Sequence, residues 1–306
     1  MNRTLPVTAI VLSWNGRERT LACLRSLEHV TYEPFSVLVV DNGSSDGSAA
    51  AVAELHPDVS LVRLPDNLGF AGGMNAGIRA AFAAGAGAVL LLNNDMEVEP
   101  GFVGPLAGAA AGNRECAAAC SQILFADEPR RIWYAGAPFK PRRGHSGRNV
   151  GYGQPPLPPT TAPYPTDRAC GGAMLVTAGA SARIGLFDEE LFAYAEDTDW
   201  SLRAHREGCR CLVVPASIVR HAVSGSSGGE SSPTSVYYSL RNSLVVAERW
   251  APLGPGRTWL RRLEAVAAHT AQVLLAGRRR EGLRAVYAAW RDFRRGRLGP
   301  RRSTSL

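Results

Sequence analysis

The sequence predicts an α/β protein with a Rossmann-like, mostly parallel central sheet and a C-terminal helical extension, and three observations carry that expectation. Short β-branched, apolar runs alternate with helix-period stretches through the first 95 residues, the pattern of a parallel sheet with right-handed crossovers. Two of those runs end abruptly in acids and amides, at Asp41-Asn42 and at Asn93-Asn94-Asp95. The carboxyl edge of such a sheet is where open α/β folds hold ligands. From residue 235 onward, apolar residues recur at three- and four-residue intervals with Arg between them, which is helical spacing.

The elements follow in order. Residues 7–13 (VTAIVLS) read as a first strand, and Asn15-Gly16 turns the chain into a helix with Leu21, Leu24 and Leu27 on one face. Residues 36–40 form a second strand, closing on a turn whose Asp46 is placed to cap an Ala-rich helix. Residues 61–64 give a third strand, residues 67–73 a glycine-containing loop, residues 74–84 a helix and residues 88–92 (AVLLL) a fourth, buried strand.

Past Asp95 the pattern changes. Residues 100–111 read as helix and 117–125 as strand, whereas residues 138–165 are rich in Pro, Gly and Arg without periodicity and read as a long functional loop. A strand at 173–176, helices at 178–184 and 198–207, the second ended by Gly208, and a strand at 211–214 restore order. A Ser/Gly-rich loop follows at 224–232. Two amphipathic helices close the chain, one carrying Trp259, Leu260, Leu263, Val266 and Val273, the other Leu283, Val286, Tyr287, Trp290 and Phe293. They either pack on the main body or lie on a membrane surface. Residues 301–306 read as a disordered end.

Charge is unevenly distributed. The formal net charge is +7, but residues 257–306 hold 13 Arg against 3 acids, so the first 256 residues carry 21 basic and 24 acidic groups. A basic tail on a mildly acidic body suits an anionic membrane surface, an acidic partner or nucleic acid about equally well. Nucleic acid is not an expected partner, since no recognisable nucleic-acid module accompanies the charge. None of the six Cys forms a CxxC pair, so they read as reduced, buried thiols of a cytoplasmic protein. The first residues read as a strand rather than a signal peptide, and no apolar run approaches the roughly 20 residues a spanning helix needs.

Several residues carry candidate chemistry. Asp41 and Asp95 follow neighbouring strands and should reach one crevice, where a carboxylate such as Asp95 can share a divalent cation with a diphosphate. There is no GxxxxGK[ST] and no GxGxxG, which argues against ATP hydrolysis and dinucleotide redox chemistry. Glu196-Asp197-Thr198-Asp199 opens a helix, so its acids are either caps or a general base. Gly171 and Gly172 allow close approach of a sugar or form a tight turn. Trp200 either lines an acceptor pocket or belongs to the core, and the isolated His221 is either structural or a metal ligand.

Six ordered motifs, VTAIVLSWNG, VVDNGSSDGS, NLGFAGGMNAG, LLLNNDMEVEPGF, CGGAMLV and FDEELFAYAEDTDWSLRAHREG, together resemble the inverting family 2 glycosyltransferases, in particular their rhamnosyltransferase and galactofuranosyltransferase branch. The resemblance spans about residues 5–250. It implies a GT-A fold over residues 1–232, with a nucleotide-binding half at 1–95 and an acceptor half at 96–232, ahead of an Arg-rich extension at 233–306. It implies a nucleotide-diphosphate sugar donor and Mg²⁺ or Mn²⁺ as cofactor. By the same resemblance Asp41 recognises the base, and Asn15, Asn67, Asn75 and Asn94 belong to the donor site. Asp95 and His221 hold the metal, and Asp197 is the catalytic base. Gly171, Gly172, Glu196, Asp199 and Trp200 surround the acceptor sugar. Asn93 stands where many relatives have Asp, a variant also found in the rhamnosyltransferase-like branch. The implied activity is transfer of a sugar, rhamnose from dTDP-rhamnose first among candidates, to a polysaccharide or lipid-linked glycan at the inner face of the cell membrane. Galactofuranosyl or other hexosyl transfer from a UDP-sugar is the alternative, and a non-catalytic nucleotide-sugar-binding module is the alternative of another class.

Overall fold

A computed structural model describes residues 4–113, 115–140, 145–146, 149–222, 232–277 and 279–301. Its first part alternates as expected: β1 (Val7–Ser13), α1 (Arg17–Leu27), β2 (Phe35–Asn42), α2 (Ser48–Leu55), β3 (Ser60–Leu64), α3 (Gly69–Ala83) and β4 (Ala88–Asn93). Then come β5 (Met96–Val98), α4 (Val103–Ala111), β6 (Cys116–Phe125), β7 (Ile132–Tyr134), the small hairpin β8 (Phe139–Lys140) and β9 (His145–Ser146), and β10 (Tyr164–Thr166). The remainder is β11 (Ala173–Thr177), α5 (Ala178–Ile184), a 3₁₀ turn at Glu189–Leu191, α6 (Glu196–Arg206), β12 (Arg210–His221), α7 (Pro233–Trp250), α8 (Pro255–Leu275) and α9 (Arg279–Arg294).

One sheet organises the molecule, in the order β10-β12-β6-β11-β4-β1-β2-β3, with β5 added to β12 and β7 to β6. The β4-β1-β2-β3 half is parallel, as is β6 with β12, while β11 runs antiparallel between β4 and β6. Residues 88–92 are wholly buried, which is why that strand reads as an uninterrupted apolar run rather than an alternating one.

Residues 138–165, expected as one long loop, contain β8 and β9 and run into β10, and three further elements differ from expectation. The helix expected at 74–84 begins five residues earlier, because its glycines are packing residues rather than loop residues. A Cβ on Gly73 would lie 2.5 Å from Leu12 Cδ1, and one on Gly77 2.5 Å from Ile10 Cγ2, so α3 lies directly on the sheet. The helix expected from Thr198 begins at Glu196. The strand expected to stop at Val214 continues to His221, because the chain bulges between Val214 and Ile218 around Pro215 and then resumes its ladder with β6. The Ser/Gly-rich loop lies, up to Ser231, outside the described residues, as does the end of the chain beyond Arg301.

The C-terminal helices have their own core, built from Val236, Tyr237, Leu240, Leu244, Ala265, Val273, Ala285 and Ala289. Gly282 lets α9 cross α8 closely, since a Cβ there would meet Val273 Cγ1 at 2.4 Å. Not all of the arginine faces outward. Arg241 is fully buried between the rings of Tyr237 and Tyr238 and donates to the carbonyls of Leu191 and Gly299. The outer side is different: Trp259, Leu260, Leu263, Leu274 and Leu275 of α8 and Leu283 and Tyr287 of α9 are exposed. No helix among the described residues is long and apolar enough to cross a membrane.

Candidate active site

The loops after β1 and β2 are joined by side chains. Asn15, in the left-handed region with φ 47°, accepts from the Ser45 amide at 2.8 Å, and its own amide donates to Ser44 Oγ at 3.0 Å. Asp46 accepts from the amides of Ser48 and Arg17, so it serves the start of α1 as well as that of α2. Between them Asp41 ends β2 nearly buried, with Oδ1 free of any hydrogen-bond partner. Asn67 accepts from the Gly69 amide and from Asn42, which sets the first turn of α3.

The remaining donor-site expectation at Asn75 is corrected. Its side chain is fully buried; it donates to the Phe187 carbonyl and Glu189 Oε1 and accepts from the Phe187 amide. With those partners it ties α3 to residues 187–189 and has no reach to a ligand.

At the end of β4, Asn94 donates to Thr20 Oγ1 at 2.9 Å, in space that exists because Gly16 has no Cβ. Asp95 and His221, 126 positions apart, meet through the pairing of β5 with β12, in which Met96 lies opposite His221. Asp95 Oδ2 is 3.4 Å from His221 Nε2, and the edge of Trp133 packs on the imidazole with centroids 4.5 Å apart. Asp95 Oδ1 is buried without a hydrogen-bond partner, which leaves an unspent ligating atom on the carboxylate that His221 Nε2 faces. Among the described residues no group of three or more His, Cys, Asp and Glu could hold a metal. One carboxylate oxygen and one imidazole nitrogen fit a divalent transition-metal cation that takes further oxygens from a diphosphate and water.

The third part of the site is the start of α6. Phe192, Tyr194 and Ala195 all have positive φ, a concentration of unfavourable backbone typical of functional sites. Asn242 of α7 holds that segment by donating to the carbonyls of Leu191, Ala193 and Tyr194. Asp197 then projects with Oδ1 accepting from Thr198 Oγ1 and Oδ2 3.4 Å from the Gly171 amide.

Gly171 and Gly172 fit between the two acidic centres. A Cβ on Gly171 would lie 3.4 Å from Asp197 Cβ, and one on Gly172 3.1 Å from Asn93 Nδ2. The Gly172 carbonyl accepts from the Asn93 amide. The Ala173 amide donates to the Cys170 carbonyl at 3.1 Å, so the pair forms the tight turn, one of its two expected readings. Glu196 is buried beside Asp197. Burial foremost, then the Asp197 charge, pushes its pKa up to about 8.

Two acceptor-site expectations are corrected. Asp199 is 1% exposed and accepts from Arg203 Nε, Arg249 Nη1 and Trp250 Nε1, which makes it an anchor between α6 and α7. Trp200 is buried against Phe187 and donates its indole N–H to the Gly185 carbonyl, so it is core. Sequence reasoning passed over Arg168, whose Nη1 is 4.0 Å from Asp197 Oδ2, and Trp133 on His221. A basic residue two positions before Cys170-Gly171-Gly172 was the available signal for the former.

A parallel half-sheet with acids at its strand ends, and a carboxylate at the start of α6, is the arrangement expected of a GT-A glycosyltransferase. The chain belongs to the Glycosyl transferase family 2, whose model matches residues 8–164. It is 30% identical over 269 residues to the N-acetylglucosaminyl-diphospho-decaprenol L-rhamnosyltransferase of Mycobacterium tuberculosis, covering 81% of this chain and 86% of that one. It is 23% identical to the dTDP-rhamnosyl transferase RfbF of Shigella flexneri, covering 79% and 80%. The fold is shared with GalNAc-T7 solved with UDP, GalNAc and Mn²⁺ (TM-score 0.62, 18% identity, 81% of this chain and 48% of that one). It is also shared with the mannosyltransferase PcManGT of Pyrobaculum calidifontis solved with GDP-Man and Mn²⁺ (TM-score 0.57, 18% identity, 95% and 88%).

Proposed function

We propose that the protein is an inverting rhamnosyltransferase that uses dTDP-rhamnose and a lipid-linked glycan acceptor. The observation that carries this reading is the placement of Asp197 and the Asp95–His221 pair on either side of Gly171-Gly172. Asp197 takes the proton of the acceptor hydroxyl as its oxygen attacks the anomeric carbon from the face opposite the diphosphate. The new glycosidic C–O bond forms as the bond to the diphosphate breaks, and the nucleoside diphosphate leaves with that electron pair. Asp41 receives the base, and the joined loops at Asn15 and Asn67 shape the nucleotide site. Asp95 and His221 would hold a divalent cation, which supplies neutralising charge to the departing diphosphate.

Sugar and acceptor follow the printed activities of the two rhamnosyltransferase relatives. A lipid-linked acceptor lies at a membrane, and the outer face of α8 suits the inner surface of an anionic bilayer. Trp259, Leu260, Leu263 and Leu274 would enter the headgroup boundary, with the exposed Arg279, Arg280 and Arg284 beside them for the lipid charge.

The test is a transfer assay with dTDP-rhamnose, UDP-galactofuranose and other nucleotide sugars against an N-acetylglucosaminyl-diphospho-polyprenol acceptor, with Mn²⁺ or Mg²⁺. Rhamnose transfer is expected. Turnover with a UDP-sugar alone would move the assignment to hexosyl or galactofuranosyl transfer, and binding without turnover of any donor would make the chain a binding module.

A further inference from the structure

One side chain of the Pro- and Gly-rich region 138–165 serves both halves of the site. Asn149 Nδ2 donates to the Trp133 carbonyl at 2.9 Å, and its Oδ1 accepts from Arg168 Nη2 at 2.7 Å. Trp133 packs its edge on the imidazole of His221, and Arg168 Nη1 lies 4.0 Å from Asp197 Oδ2. The amide of Asn149 therefore stands one residue behind each of the two centres.

Local structure explains both bonds. In the β6–β7 ladder Tyr134 lies opposite Ile123 and Ile132 opposite Leu124, so Trp133 is the extra residue of a β-bulge. A bulged residue leaves the ladder and its side chain is re-aimed, here onto His221. The carbonyl that leaves the ladder is the one Asn149 satisfies. Arg168 is a long side chain with many rotamers, and an acceptor on Nη2 fixes the guanidinium so that Nη1 faces Asp197. Asn149 is itself held, because the residues that follow it are tied to β7 and the turn beyond. The Val150 amide donates to the Gly136 carbonyl, the Gly153 amide to the Ile132 carbonyl and the Ile132 amide to the Gln154 carbonyl.

We propose that Asn149 is a positioning residue for both halves of the reaction: through Trp133 it sets the imidazole of His221 for the cation, and through Arg168 it sets the carboxylate of Asp197 for the acceptor. The proposal rests on the roles given above to the Asp95–His221 pair and to Asp197. It adds that one planar amide aligns the two sides together, its N–H serving one and its oxygen the other. Loss of a supporting group that touches no substrate typically costs roughly 10–100-fold in metal affinity or activity.

The test uses the full chain and reads the two sides separately. Calorimetric titration of dTDP with and without Mn²⁺ reads the cation side. Single-turnover transfer from dTDP-rhamnose to an N-acetylglucosaminyl diphosphate carrying a short lipid, at saturating Mn²⁺, reads the base side. Asn149→Ala should cut both the Mn²⁺-dependent gain in dTDP affinity and the transfer rate roughly tenfold, with metal-free dTDP affinity at the wild-type value. Arg168→Gln should lower the rate alone. Asn149→Asp keeps the acceptor for Arg168 and loses the donor to Trp133, so it should retain the rate and lose the metal-dependent gain. General loss of structure cannot produce that uncoupling, and this variant decides the matter if Asn149→Ala does not fold. Both quantities unchanged in Asn149→Ala, or any pattern in Asn149→Asp other than loss of the metal-dependent gain alone, would overturn the proposal. A wild-type chain that shows the Mn²⁺-dependent gain but transfers no sugar would instead overturn the enzymatic reading, and the cation side of the Asn149 assignment would still be decided by binding.

Discussion

Arg249 of α7 donates at 2.8 Å to Asp199 of α6, two positions past Asp197. The same Asp199 oxygen accepts from Trp250 Nε1, and its partner oxygen from Arg203. Removing a carboxylate that compensates two cations in a buried setting typically lowers stability by about 3–5 kcal/mol. Asp199→Ala should lose stability on that scale in urea unfolding. Trp250→Phe, which removes one hydrogen bond, should lose about 1 kcal/mol. A loss below that of Trp250→Phe in Asp199→Ala would show that the anchor contributes little.

Asp197→Asn keeps the size of the side chain and removes its capacity to accept the acceptor's proton. Transfer should fall about 10²–10⁴-fold with dTDP affinity unchanged, measured by single-turnover kinetics and nucleotide titration. Retained turnover would remove the base assignment.

Asp95→Ala and His221→Ala should each abolish the gain in nucleotide affinity produced by Mn²⁺, while affinity without metal changes little. Titration of dTDP with and without Mn²⁺ decides this. A metal-dependent gain surviving both substitutions would place the cation elsewhere.

Glu196 gives the protein a pH dependence of known sign. Its pKa is raised in the fold from the usual 4.5 to about 8, so the folded state binds the proton more tightly than the unfolded chain does. That contribution is fully present below about pH 4.5 and is lost as pH rises toward 8. Glu196→Gln, which stays neutral, should therefore gain in Tm relative to wild type progressively between pH 5 and pH 8. Parallel melting curves across that range would contradict the assignment.

Co-sedimentation with phosphatidylglycerol vesicles should be seen for the full chain at low salt. It should fail for the triple variant Leu260→Glu, Leu263→Glu, Leu274→Glu, whose positions are all exposed. Wild-type protein remaining in the supernatant would exclude the membrane face.

Much of the sheet was legible because buried parallel strands are written as apolar runs, and residues 88–92 are the clearest case. The bulge at Pro215 was not, since a proline after an apolar run reads as its end. Asp95 and His221 were paired only through family resemblance, because nothing local to either residue encodes the β5–β12 ladder. Asn75, Asp199 and Trp200 sit inside recognisable motifs yet spend their side chains on protein partners. A motif fixes the backbone course and some of its residues serve that course alone. Arg168 was missed for the converse reason: its role comes from proximity to Asp197, 29 positions away.

Asn242 donates to three carbonyls of the segment leading into α6. That sets a boundary for protein engineering. A chimera joined at residue 232 would take these donors from one parent and the positive-φ turn from another, and a chain cut there would leave the turn unsupported. A junction in the 251–254 link keeps Asn242, Arg249 and Trp250 with α6. Exchange of α8 and α9 at that link must also match the core they share with α7 and the bonds of Tyr237 to Asp292 and Arg241 to the Gly299 carbonyl.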